Sequence, residues 1–125
     1  MPMNAPGSFA IDGDIAIWKP AAALSLDRAI RLIEAAIGSA RENGLRKMLV
    51  DTTGLDGFEP PSVPARHELA RLWAGAAGGV LRIAFVARPE MIDPQKFGVI
   101  VAKNFGADVD VFASEADALA WLRRG

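Results

Sequence analysis

The chain contains no cysteine. Disulfides, thiolate metal sites and cysteine nucleophiles are therefore excluded. It contains one histidine, His67, too few for a usual zinc site. Neither sign of charge is in excess: 14 Lys and Arg stand against 15 Asp and Glu, a formal net charge of −1. A basic footprint for nucleic acid is thus lacking. No helical apolar stretch is free of charge, since the longest carries Asp27, Arg28, Arg31 and Glu34; none reads as a transmembrane segment. The opening MPMNAPGSFAIDGD has neither a charged n-region nor a long apolar h-region, so it does not read as a secretory signal. There is no G-x-G-x-x-G, no phosphate loop ending in Lys-Ser/Thr and no G-x-S-x-G elbow. No cofactor and no metal is expected, and a cytoplasmic location is.

What is present is an ordinary globular composition, 51% hydrophobic and 23% charged over 125 residues, enough for one domain with a real core. Residues 1–7 read as a flexible tail, and residues 8–125 as the domain. SFAIDGDIAIW reads as a hairpin turning on Asp12-Gly13. SLDRAIRLIEAAIGSARENG has the helical period, with Ser25 as cap and Gly44 as stop. LRKMLVD reads as a strand, and SVPARHELARLWAGA as a helix with Leu69, Leu72, Trp73 and Ala76 on its apolar face. VLRIAFVA reads as a central strand. DPQKFGVIVAKNFG predicts a helix capped by Asp93 with Pro94 at its first position. DVDVF reads as an edge strand, and SEADALAWLRR as a closing helix.

The order β-β-α-β-α-β-α-β-α predicts an α/β fold, a mixed and mainly parallel sheet of about five strands with four main helices. Right-handed crossovers put the helices on one face, which is expected to bear Ile15, Ile17, Met48, Val50, Leu81, Ile83, Phe85, Val109 and Val111. The other face would bear Trp18, Leu49 and Phe112, which need cover and are candidates for a homodimer interface.

This order, together with KMLVDTTGLDG and the ending VDVFASEADALAWL, resembles the SpoIIAA-like STAS superfamily, and within it a bacterial STAS/CRAL-TRIO-related branch of small proteins. The resemblance covers roughly residues 8–124. It implies a STAS-like fold and a non-catalytic regulatory or protein-interaction module. In anti-sigma-factor antagonists an Asp-Ser-Ser-Gly segment at the start of the second helix carries the phosphorylated serine. Counted from Asp51, that segment falls on Glu59, Pro60, Pro61 and Ser62. Pro60 has no hydroxyl, so the resemblance implies a module without the switch serine. It also implies an alternative, a protein that binds a small apolar ligand or lipid between sheet and helices.

The candidate site lies beyond the C-terminal strand ends, where open parallel sheets bind ligands. It comprises Asp51, Thr52, Thr53, Ser62, Arg66, Arg88 and Lys96, with Lys19 and Asp93 beside them. An anion or acidic peptide is one reading of the cations; pairing with nearby carboxylates is the other, and the favoured one. Asp51, Thr52 and Thr53 read more readily as partners of their own turn. Phe58, Trp73, Met91 and Phe97 are candidates for an apolar pocket. Ser62 reads as a helix cap worth about 1 kcal/mol. A hydrolase built on Ser62, His67 and Asp51 ranks third, because five helix residues rotate the chain by about 500° and point Ser62 and His67 apart.

Overall fold

The computed structural model describes residues 9–124; the tail expected over residues 1–7 lies outside them. The chain opens with β1 (Phe9–Asp12) and β2 (Ile15–Trp18), antiparallel with Asp12 opposite Ile15. The loop is therefore Gly13-Asp14, one step later than expected. Gly13 has φ 63° and Asp14 has no positive φ. Positive φ at the first loop position alone is the pattern of a II′ turn, which glycine adopts without a clash.

There follow β3 (Ala22–Ala23), α1 (Leu26–Glu42), β4 (Lys47–Asp51), β5 (Leu55–Asp56), α2 (Val63–Ala77) and β6 (Arg82–Val86). A single 3₁₀ turn (Pro89–Met91) leads to α3 (Phe97–Asn104), β7 (Asp108–Phe112) and α4 (Glu115–Arg124). In α1 the Ser25 hydroxyl accepts from the Arg28 amide at 3.2 Å. Asp27 sits in its first turn and Arg41 in its last, as the helix dipole favours. The stripe Ala29, Ile30, Ile33, Ala36, Ile37 and Ala40 is buried. In α2 the innermost residues are the alanines Ala70, Ala74 and Ala77, while Leu69 and Trp73 flank them half-buried.

The third helix departs from expectation. It starts at Phe97, after Lys96 in the left-handed region at φ 52°. Pro94 is not its first residue. Asp93 still caps, at longer range: its Oδ2 accepts from the Phe97 amide at 2.8 Å. The left-handed Lys96 interrupts the helical path, so residues 93–96 form a turn instead of the first helical turn.

The main sheet has the order β1-β2-β4-β6-β7, parallel except for β1. The fold is the expected mixed, mainly parallel α/β sheet with four helices. A second, two-stranded sheet pairs β3 with β5. Helices α1, α2 and α3 cover one face, and α4 packs on β4, β6 and β7 from the other. The expectation of helices on one face alone is corrected here. The handedness rule governs crossovers between parallel strands, and α4 follows the last strand, so its side is free to be set by apolar contact.

The β2 residues also face opposite to expectation. Ala16 lies beside Met48 and Trp18 beside Val50, whereas Ile15 lies beside Lys47 and Ile17 beside Leu49. Neighbours in register share a face, so Trp18 joins the main core under α1–α3, and Ile15 and Ile17 join the α4 side. With strand period two, one step exchanges the faces. The interface assignment is corrected accordingly. Trp18 and Leu49 are both 0% exposed, and Phe112 is half-buried with its ring 5.7 Å from Trp121. The face is covered by the chain's own last helix, which removes the reason for a dimer through it.

Arg82 fastens that helix. Its Nη2 donates to the Trp121 carbonyl at 2.8 Å, and its guanidinium lies 3.6 Å over the Trp121 ring. Its Nη1 pairs with Asp108 at 2.9 Å. Arg123 reaches Asp12 at 2.9 Å, and Lys19 reaches Glu115 at 2.5 Å.

Candidate functional site

The loop after β4 is held by its own side chains. Asp51 Oδ1 accepts from the Thr53 amide at 2.9 Å and from the Thr53 hydroxyl at 2.6 Å. Thr52 donates to the Val86 carbonyl through both its amide, at 2.8 Å, and its hydroxyl, at 2.9 Å. The Thr52 contacts tie the ends of β4 and β6 together. Further on, Leu24 N donates to the Asp56 carbonyl at 2.7 Å. Gly57, at φ 102°, lets that backbone approach: a Cβ there would lie 2.4 Å from the Leu24 oxygen.

Ser62 is the N-cap of α2, its Oγ accepting from the Ala65 amide at 3.3 Å. His67 is exposed, its ring meeting Phe105 edge-on at 6.1 Å. Among the described residues no hydrogen bond joins Ser62, His67 and Asp51, so the chain does not assemble them as a triad.

The three cations differ. Arg88 pairs with Asp56 at 3.1 Å and Glu90 at 3.6 Å, and donates to the Leu55 carbonyl at 3.2 Å. Lys96 pairs with Asp110 at 2.8 Å and sits 5.7 Å from the Phe112 ring. Arg66 donates to two backbone carbonyls, Pro61 at 3.0 Å and Met91 at 3.3 Å. No carboxylate pairs with it among the described residues. Lys19 is drawn to α4: the hydrogen bond and charge of Glu115, with a smaller contribution from Asp51, raise its pKa above 10.5.

Beneath these residues lies a cavity of about 150 Å³ between α1, α2, α3 and the sheet. Its walls are Ile30 and Ile33 of α1, Leu69, Ala70 and Trp73 of α2, Val99 and Ala102 of α3, and Phe85, Val109 and Val111 of the sheet. Trp73 stacks on Phe85 at 5.0 Å and donates its Nε1 proton to the Ile30 carbonyl at 3.0 Å. The ring is thereby held as a wall beside the small residues Ala70, Ala74 and Ala102. Phe58, Pro61, Arg66, Met91 and Asp93 line the cavity and are half-exposed, which places its mouth there. Thr52, Arg88 and Lys96 also border it.

Of the four residues expected at a pocket, Phe58, Trp73 and Met91 line this cavity; Phe97 does not, and packs on the main core. The contribution of α1 was not anticipated. The spacing of Ala70 and Ala74 one helical turn apart, flanking Trp73, is the signal that could have located the gap. Asp51, Thr53 and Ser62 lie outside the lining, while Thr52, Arg66, Arg88 and Lys96 belong to it. Among the described residues no three acidic or histidine side chains gather as a metal site. None of the described helices is long and apolar enough to cross a membrane.

No protein-family model and no curated protein matches the chain. Among solved structures the chain is similar to an anti-sigma factor antagonist from Mycobacterium paratuberculosis. The identity is 15%, with 98% of this chain and 97% of that one covered at a TM-score of 0.63. It is also similar to the protein TM1081, at 14% identity, covering 94% of this chain and 88% of that one at a TM-score of 0.49. The fold is thus STAS-like, that of an anti-sigma factor antagonist.

Proposed function

We propose that the protein is a non-catalytic, regulatory protein-interaction module that works without a phosphorylatable serine at the loop's switch position. The observation that carries this reading is an apolar surface at the start of α2. Val63 is 61% exposed, and Phe105 is 51% exposed against the ring of His67. Val63 and His67 are one helical turn apart, which sets Val63 on the side of α2 that carries the His67–Phe105 contact. Exposed apolar side chains grouped in this way favour a partner. The position supports it too, since the surface begins where the loop after β5 delivers the chain to α2. The fold shared with an anti-sigma factor antagonist agrees with a protein partner. The position that the resemblance gives to the switch serine is Pro60, which has no hydroxyl, and this favours constitutive binding over a phosphorylation switch.

Val63→Asp and Phe105→Asp should each weaken a complex with a co-purified, cross-linked partner about tenfold or more. Ile11→Asp, exposed on the opposite sheet edge, should leave it intact, as should Ser62→Ala. Equal binding by all four variants would remove this surface from the proposal. The cavity favours a second reading, a small apolar-ligand protein. The two readings are compatible, because Arg66 at the cavity mouth stands on the same turn of α2 as Val63 and His67.

A further inference from the structure

The chemistry of the cavity narrows what could fill it. An apolar space of about 150 Å³ admits a molecule of benzene size. The inner walls here, among them Ile33, Phe85, Val109 and Val111, carry no polar side-chain atom. The Trp73 Nε1 proton is engaged by the Ile30 carbonyl. The depth of the cavity therefore recognises apolar surface alone.

Polarity enters only at the mouth, and there the groups are unequal. The Thr52 hydroxyl donates to Val86, and Asp93 accepts from the Phe97 amide. Arg88 and Lys96 are each neutralised by a carboxylate. Arg66 is the exception. Carbonyls of Pro61 and Met91 hold its guanidinium in place without cancelling its charge, and of five N–H donors most remain for a further acceptor. A planar guanidinium fixed at the lip of an apolar cavity is the complement of a carboxylate.

Resting on the ligand-binding reading above, we propose that the cavity binds a small monocarboxylate with an apolar body of about benzene size. The body lies against Trp73 and Phe85, and the carboxylate meets Arg66.

Benzoate and benzyl alcohol, a neutral molecule of similar size, test this directly, each titrated into the full-length protein and followed by amide resonances of α2 and α3. Benzoate should shift them saturably and bind about tenfold or more tightly than benzyl alcohol, the scale of a charge-assisted hydrogen bond. Arg66→Gln should erase that preference, and Ala70→Leu, which fills the cavity, should weaken both probes. The amide spectrum reports whether each variant is folded, and the preference in the unmodified protein stands without either. Equal binding of both probes to the unmodified protein would overturn the carboxylate assignment and leave an apolar cavity. Shifts by neither probe would overturn both the assignment and the ligand-binding reading.

Discussion

Ser62 directs its hydroxyl oxygen at the amide of Ala65, and the free amides of a helix start explain why a serine stands there. Ser62→Ala should lower stability by about 1 kcal/mol in urea denaturation and leave any partner binding unchanged. Gly57 carries more strain if replaced. It sits at φ 102°, and a Cβ would collide with the Leu24 backbone at 2.4 Å. Gly57→Ala should therefore cost more than about 1 kcal/mol, measured the same way, and should loosen the pairing of β3 with β5. Amide exchange at Leu24, whose N–H bonds the Asp56 carbonyl, reports that loosening.

At the scale of elements, α4 is the helix whose loss changes the molecule most. Leu122 is 0% exposed and Ala118 likewise, and together they close the second face. Leu122→Ala should cost about 2–5 kcal/mol and raise binding of a hydrophobic dye as Leu49 and Phe112 become accessible. The existence of this helix was legible from its period and from Ser114 before it, whose Oγ accepts from the Asp117 amide at 3.2 Å, but its side of the sheet was not. Periodicity states which residues of an element are apolar; it does not state which sheet face they meet. The same limit inverted β2, where Ile15, Ile17, Ala16 and Trp18 are all apolar and the alternation carries no direction. The order of the main elements along the chain, α1 and the cap of α2 were legible because caps, stops and period agree there, whereas the two-residue strands β3 and β5 are too short to carry a period. The start of α3 was not, because Lys96 adopts a backbone angle that no lysine announces. The site was half legible. Phe58, Trp73 and Met91 could be grouped by chain proximity to the strand ends, whereas the cavity itself depends on how closely three helices approach the sheet.

For the whole molecule, opposite charges join parts distant in sequence. Lys19–Glu115 links the end of β2 to the start of α4, and Arg123–Asp12 links α4 to the hairpin. The pKa of Lys19 is raised in the folded state above 10.5. Its contribution is therefore complete below that value and is lost as pH rises through the folded pKa. Melting temperature should fall on the alkaline side of 10.5, and Lys19→Met should make that fall shallower. The effect is small and salt-sensitive, as for any exposed pair. The placement of α4 after β7 also divides the chain. The five strands of the main sheet are complete by Phe112, while the cover for their second face is encoded in residues 115–124. The sheet and its second cover are therefore separable in sequence: a chain cut before Glu115 keeps all five strands and leaves Ile15, Leu49, Val86 and Phe112 without the residues that bury them.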